Sequence, residues 1–192
     1  MKLSIDSSNW RSASNRVGAT SSLDDITLLK LDLPHQEQSN WCWAAIARSL
    51  AGYYGLGDFS QSDIVGRMFG RPGDERAANE FNVTALLGEA VRVVGVSAQW
   101  SPGRASFHRI AQSIDAGRPV CVCIQWPTGE SHYAVIEGYA PRHEELAITD
   151  SLFGPSIHPY SAFPHAYQAR DAIWRGTWWT APAVEPQAQY MM

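Results

Sequence analysis

Cys42 stands in the segment Gln36-Glu-Gln-Ser-Asn-Trp-Cys42-Trp-Ala-Ala, at the place where the pattern predicts the start of a helix. A cysteine in the first turn of a helix meets unpaired backbone N–H groups and the positive end of the helix dipole, and both favour the nucleophilic thiolate. The other role open to such a residue is that of a small buried hydrophobe, and position alone does not separate the two. A hairpin 90 residues later tips the balance towards chemistry. In Ser131-His-Tyr-Ala-Val-Ile-Glu137 the side chains of His132, Ala134 and Ile136 share one strand face, and in Leu146-Ala-Ile-Thr-Asp150 those of Leu146, Ile148 and Asp150 do the same. Closed symmetrically around 138–145, the two strands oppose Ile136 to Leu146, Ala134 to Ile148 and His132 to Asp150, with opposed Cβ atoms about 4.5–5.5 Å apart. A carboxylate there holds the imidazole in one tautomer and stabilises its charged form, leaving the second ring nitrogen for a thiol. A slip of one residue, or a bulge, is expected to destroy that pairing.

Three regions must bring these residues together. Residues 26–33 alternate as a strand that Pro34 ends. A helix is predicted over 41–54: Cys42, Ile46, Leu50 and Tyr53 form one buried stripe, Ser39 or Asn40 supplies the N-cap, and Gly55 and Gly57 stop it. Further helices are predicted over 61–69, 83–94 and 106–116, the last capped by Ser106 and closed by Gly117. After Pro119 the character changes to β-branched and aromatic runs at 120–126, 132–139 and 146–150. Helices first and strands later make the class α+β, a helical N-terminal half whose nucleophile helix packs on an antiparallel β-sheet.

At 192 residues, with 45% apolar and 18% charged side chains, the chain has the makings of one domain with one sizeable core. A net charge of −4 speaks against nucleic acid as a partner, because phosphate binding needs a clustered basic face. No run of eighteen apolar residues exists, so no transmembrane helix is expected. Seven serines fall within residues 1–22 and no apolar stretch follows Lys2, so this is not a secretory signal peptide. Residues 1–25 read as a flexible Ser-rich leader, 26–180 as the folded domain and 181–192 as a tail; both a poorly ordered terminus and an export leader remain open for the first. Three cysteines do not make a disulfide framework. Cys121 and Cys123 alternate onto one strand face, where core packing is expected, and no second pair at zinc spacing accompanies them. Glu137 and Asp171 are the lesser alternatives to Asp150, and Glu137 faces away from His132. His35 reads as a loop residue, and His108, His143, His158 and His165 as surface or capping residues. Trp126, Trp178 and Trp179 suit core or lid packing.

Gln36, then Cys42 six residues on, followed at once by Trp43 and Ala44, resembles the active-site segment of papain-like cysteine peptidases. The Trp-Cys-Trp-Ala-Ala form, with His132-Tyr-Ala-Val-Ile-Glu-Gly138 and then Asp150, is most similar to the AvrRpt2-like (C70) group of bacterial effector peptidases. The resemblance implies a papain-like fold with Cys42 as nucleophile, His132 as general base and acid, and Asp150 as the residue that orients it. It implies that Gln36 and the Cys42 N–H bind the oxyanion, with Gln38 a rival for the side-chain part. Papain has asparagine where this chain has Asp150, and a disulfide cysteine where this chain has Ser39. The activity implied is a cysteine endopeptidase acting on protein or peptide substrates through an acyl-enzyme, with no cofactor, metal, nucleic acid or membrane span. By the same resemblance it is a secreted bacterial effector, exported by a dedicated system to act on a host protein; otherwise it works in the bacterial cytoplasm. The same triad also serves a peptidoglycan amidase or an acyltransferase, and a binding module without chemistry is the third reading.

Overall fold

A computed structural model of the chain describes residues 26–72 and 80–183. In chain order these hold β1 (Thr27–Leu28), α1 (Cys42–Tyr53), α2 (Gln61–Met68), α3 (Leu87–Val93), β2 (Val96–Pro102), α4 (Phe107–Asp115), β3 (Val120–Gln125), β4 (Ser131–Ala140), β5 (Glu145–Thr149), β6 (Ser156–Pro159) and β7 (Ile173–Pro182). The fold is α+β. The strands form one antiparallel sheet in the order β2-β7-β3-β4-β5-β6, and β1 pairs with β4 at Thr27↔Tyr139 and Leu28↔Gly138. β3 leaves β4 at Val120↔Ile136, so β1 takes over the edge that β3 vacates. That vacated edge is short, which is why the alternating run 26–33 yields a strand of only two residues. β2 was not foreseen: it separates α3 from α4 and pairs along its length with β7. The predicted leader lies outside the described residues, as do tail residues 184–192, while β7 continues through Pro182.

Two layers cover the sheet. On one face α1, α2 and α3 enclose Trp41, Ile46, Leu50, Ile64, Leu87, Val91, Cys121 and Val135. On the other, α4 and the aromatic segment before β7 enclose Ile110, Ile114, Val122, Ile124, Ala134, Ile136, Phe163 and Tyr167. Each such fully buried aliphatic side chain contributes about 1.5–3 kcal/mol. Nine of the twelve residues of α1 are buried, so it is a central helix rather than one with a single apolar stripe, and its alanines allow neighbours to approach on all sides. Its N-cap residue is Trp41, without a side-chain cap, instead of Ser39 or Asn40. Those two side chains are spent on Asn82, across the loop. The helix predicted over 83–94 starts only at Leu87, because the residues before it run along the segment around Cys42. α4 matches its sequence signals: the Ser106 hydroxyl accepts the Arg109 N–H, and Gly117 closes the end at φ +71°.

The register of β4 against β5 departs from the symmetric hairpin in an instructive way. Near the turn the pairs are Ala140↔Glu145, Tyr139↔Leu146 and Gly138↔Ala147; past a bulge at Glu137 they become Ile136↔Ile148 and Val135↔Thr149. Continued without the bulge, the first register would set Asp150 opposite Val135, on the helix-covered face. The extra residue shifts the pairing by one and sets Asp150 opposite Ala134, on the face that carries His132. The bulge therefore creates the pairing that it was expected to destroy. His132 and Asp150 end up diagonal neighbours rather than directly opposed, still within reach of an imidazole.

Candidate active site

Asp150 follows the last residue of β5 and is almost fully buried. Its carboxylate accepts His132 Nε2–H at 2.9 Å from both oxygens, the Tyr167 hydroxyl at 2.6 Å on Oδ2, and the backbone N–H groups of Leu152 (2.7 Å) and Phe153 (3.2 Å) on Oδ1. Burial alone would raise the Asp150 pKa, but the bonds to His132 and Tyr167, the His132 charge and the Leu152 N–H outweigh it and hold the carboxyl below its usual value. The Cys42 side chain is the second hydrogen-bond partner of the His132 ring. Burial pushes the His132 pKa down; the bonds to Asp150 and Cys42 and their charges push it up further, to about 10. Trp126 lies over the ring at 5.6 Å and Phe153 meets it edge-on at 6.0 Å, so two aromatic walls keep water from the His–Asp pair.

The loop before Cys42 is held by amide side chains. Buried Gln36 donates from Nε2 to the carbonyls of Gln38 (3.0 Å) and Ser39 (2.8 Å), and accepts the Ser151 hydroxyl at 3.0 Å. Its backbone N–H also donates to the Ser151 carbonyl at 3.0 Å, which ties the loop before Cys42 to the residue after Asp150. In this arrangement both hydrogens of the Gln36 amide serve the loop. Gln61, at the start of α2 and fully buried, braces the loop from the other side by donating to His35 O (2.8 Å) and accepting from Glu37 N–H (3.0 Å). Cys42 opens on a cleft of about 460 Å³ walled by Thr84, Ala85 and Leu86 on one side and Glu130, Ser131 and Tyr133 on the other. That volume lies within the range of ligand pockets.

These features are a cysteine at a helix start, a histidine bonded to a buried carboxylate and an open cleft, carried by a central helix and a sheet. The sequence profile of the Peptidase_C39 like family matches residues 30–176. The chain belongs to the Peptidase_C39 like family. It is a papain-like cysteine peptidase. The peptidase profile names this family and not the AvrRpt2-like group. Among solved structures, a double glycine motif protease from an AMS/PCAT transporter, crystallised with its leader peptide, is similar at 17% identity and a TM-score of 0.52, over 81% of this chain and 94% of that one. The peptidase domain of Streptococcus mutans ComA aligns at 17% identity and a TM-score of 0.47, over 78% and 98%. The N-terminal peptidase C39 like domain of a toxin secretion ATP-binding protein from Vibrio parahaemolyticus aligns at 15% and 0.45, over 77% and 99%. No curated protein is similar enough in sequence to count as a relative.

Several residues of this C39-like peptidase sit elsewhere than the sequence suggests. Cys121 is in the core, but Cys123 is half-buried and lines the cleft with Cys42. His158 is buried against Tyr167 and Phe163, and burial lowers its pKa to about 4, so it stays neutral. His165 and Asp171 face each other at 3.3 Å on the surface, far from burial. Glu137 is enclosed at the bulge, where burial raises its pKa to about 8 against the opposing effect of the Leu31 N–H. Tyr167, Ser151, Gln61 and Asn82 escape sequence reasoning altogether. In the sequence Tyr167 is only one aromatic in a mixed C-terminal stretch, and the three others are polar residues outside any periodic pattern.

Proposed function

We propose that the protein is an endopeptidase that cleaves protein substrates through an acyl-enzyme on Cys42. The observation that carries this reading is His132, bonded through Nε2 to both oxygens of buried Asp150 and partnered with Cys42, which lines an open cleft. Cys42 Sγ attacks the scissile carbonyl carbon, and the proton it gives up resides on His132. The oxyanion takes the Cys42 N–H and one Gln36 Nε2–H, the latter exchanging its loop carbonyl for the developing charge. As the C–N bond breaks, His132 gives its proton to the leaving amine, and Asp150 keeps the ring oriented. Water then attacks the thioester with His132 as base, the acid product leaves, and the Cys42 thiol is restored. Gln38, on the same loop, is the alternative donor.

The leader peptide held by the double glycine motif protease supports a polypeptide substrate here too. The Trp-Cys-Trp-Ala-Ala segment supports kinship with AvrRpt2-like effectors and, with it, export by a dedicated system and a host protein as target. On that reading residues 1–25 are the export leader, and the peptidase runs from residue 26 through the end of β7 at Pro182. The test is to treat host and bacterial lysates with wild-type protein and with Cys42→Ala, then map new N-termini by mass spectrometry. New termini that depend on Cys42 and concentrate in host proteins are expected. Identical maps, or clearing of peptidoglycan gels without proteolysis, would overturn the proposal in favour of no chemistry or of an amidase.

A further inference from the structure

Five hydrogen bonds fasten the short stretch 81–83 to the residues on either side of the nucleophile. Asn82 accepts the Asn40 N–H at Oδ1 (3.0 Å), donates from Nδ2 to Ser39 Oγ (3.0 Å), and accepts Asn40 Nδ2 at its backbone carbonyl (2.9 Å). The indole N–H groups of Trp41 and Trp43 donate to the carbonyls of Phe81 and Val83, both at 3.0 Å. The two tryptophans that flank Cys42 are otherwise sealed in the core, and these bonds satisfy their only polar atoms. Phe81 is in turn stacked on Phe69 at 4.6 Å, which anchors the stretch from behind. Immediately after it come Thr84, Ala85 and Leu86, one wall of the cleft, with Leu86 59% exposed. The segment therefore grips the nucleophile loop at one end and faces the cleft at the other.

We propose that Asn82 is a positioning residue that locks the nucleophile loop and the cleft wall into one body, so that a peptide resting on 84–86 meets Cys42 in attack register. This rests on Cys42 being the nucleophile. Asn82 does not line the cleft; like Gln61 on the other side, its side chain both accepts from and donates to the loop before Cys42, and it does so from the stretch that runs directly into the cleft wall. An amide supplies one acceptor and one donor at once. Alanine supplies neither. Aspartate keeps the acceptor for Asn40, and the Ser39 hydroxyl can reverse to donate to it. Cys42 itself is carried by α1 and paired with His132, so loosening the wall should disturb peptide alignment and leave the reactivity of the sulfur intact. Misplacement by about 1 Å can cost up to 10²-fold in rate.

The experiment compares wild type, Asn82→Ala, Asn82→Asp, Ser39→Ala and Cys42→Ala on fluorescein-labelled casein, with kcat and KM separated, beside the rate of Cys42 alkylation by iodoacetamide. Expected are a fall of about ten- to hundredfold in kcat for Asn82→Ala, alkylation close to wild type, substantial recovery in Asn82→Asp, and a smaller fall in Ser39→Ala. Wild-type kcat in Asn82→Ala, an Asp variant as slow as the Ala variant, or alkylation that falls in parallel with kcat would overturn the proposal. Should Asn82→Ala fail to fold, an unchanged kcat in Ser39→Ala overturns it instead. Casein turnover that persists in Cys42→Ala is a different failure, that of the peptidase reading itself.

Discussion

Tyr167→Phe removes one oxygen from the buried centre of the molecule and nothing else. The Tyr167 ring packs edge-on against Phe153 (6.1 Å), Phe163 (5.3 Å) and His158 (5.2 Å), and phenylalanine keeps each of those contacts. What is lost is the 2.6 Å bond from its hydroxyl to Asp150 Oδ2, leaving that oxygen with His132 alone. Hydrogen bonds to a charged group are worth about 1.5–3 kcal/mol, and this one falls in the short range of O–H···O⁻ bonds. A loss of about 2 kcal/mol at pH 7 corresponds to a Tm lower by roughly 4–8 °C for a chain of this size. The pH dependence has a definite sign. Because the fold holds the Asp150 carboxyl below its usual value, its stabilisation is present above about pH 4 and is lost as pH falls through the folded value. Tyr167 is one of the groups that depress it, so the gap between wild type and variant should be full above about pH 5 and shrink towards pH 3.5. Urea unfolding followed by tryptophan fluorescence at pH 7, 5 and 3.5 measures it. A gap below about 0.5 kcal/mol at pH 7, within the range of an ordinary surface change, or one independent of pH would refute the reasoning.

Glu137→Gln should flatten the decline in stability on the alkaline side. Burial raises the folded pKa of Glu137 to about 8, so the wild-type fold holds a proton that the unfolded chain has released, and stability falls as pH rises from about 4.5 to 8; an unchanged slope in the variant would exclude this. Gly138→Ala puts a Cβ against the Thr27 carbonyl, a backbone atom with little freedom to yield, and should cost about 1–3 kcal/mol and displace β1, as read by urea unfolding. Among the three thiols, iodoacetamide at pH 7 should modify Cys42 first. Burial pushes Cys123 up to about 11 and Cys121 beyond the usual thiol range, so Cys123 should react slowly and Cys121 only on unfolding; peptide mass mapping of the alkylated protein gives the order.

The residues that meet beside the cleft were legible because their types are rare and their positions are set by local rules: a cysteine at a helix start, a histidine at a strand start and an aspartate at a strand end. The pairing of His132 with Asp150 rested on a register that is not the real one. It survives because the real register beside His132 differs by two residues, an even shift that keeps each side chain on its face; near the turn the shift is three, and the bulge at Glu137 takes one back. No local signal marks that bulge, since Gly138 is needed for its close approach to β1, 110 residues away in sequence. Helix ends were less legible wherever a distant loop competed for the same groups. Ser39 and Asn40 are good caps by type, yet Asn82 claims them, and the stretch that was expected to begin a helix at residue 83 is drawn out along the tryptophans instead. His158 read as a surface residue because the aromatic segment that covers it, with Phe163 and Tyr167, has no periodic pattern to reveal its packing.

The most direct test of the account is to catch the acyl-enzyme. The protein is mixed with an N-acylated amino-acid p-nitrophenyl ester, quenched in acid within the first turnover, digested, and searched by mass spectrometry for the acyl group. Wild type should show a burst of p-nitrophenol and an adduct on the peptide that carries Cys42 alone. His132→Ala should give little adduct, and Cys42→Ala should give neither burst nor adduct. An acyl group on Cys121 or Cys123, or ester hydrolysis that persists undiminished in Cys42→Ala, would contradict the assignment of Cys42, His132 and Asp150 as one nucleophilic unit.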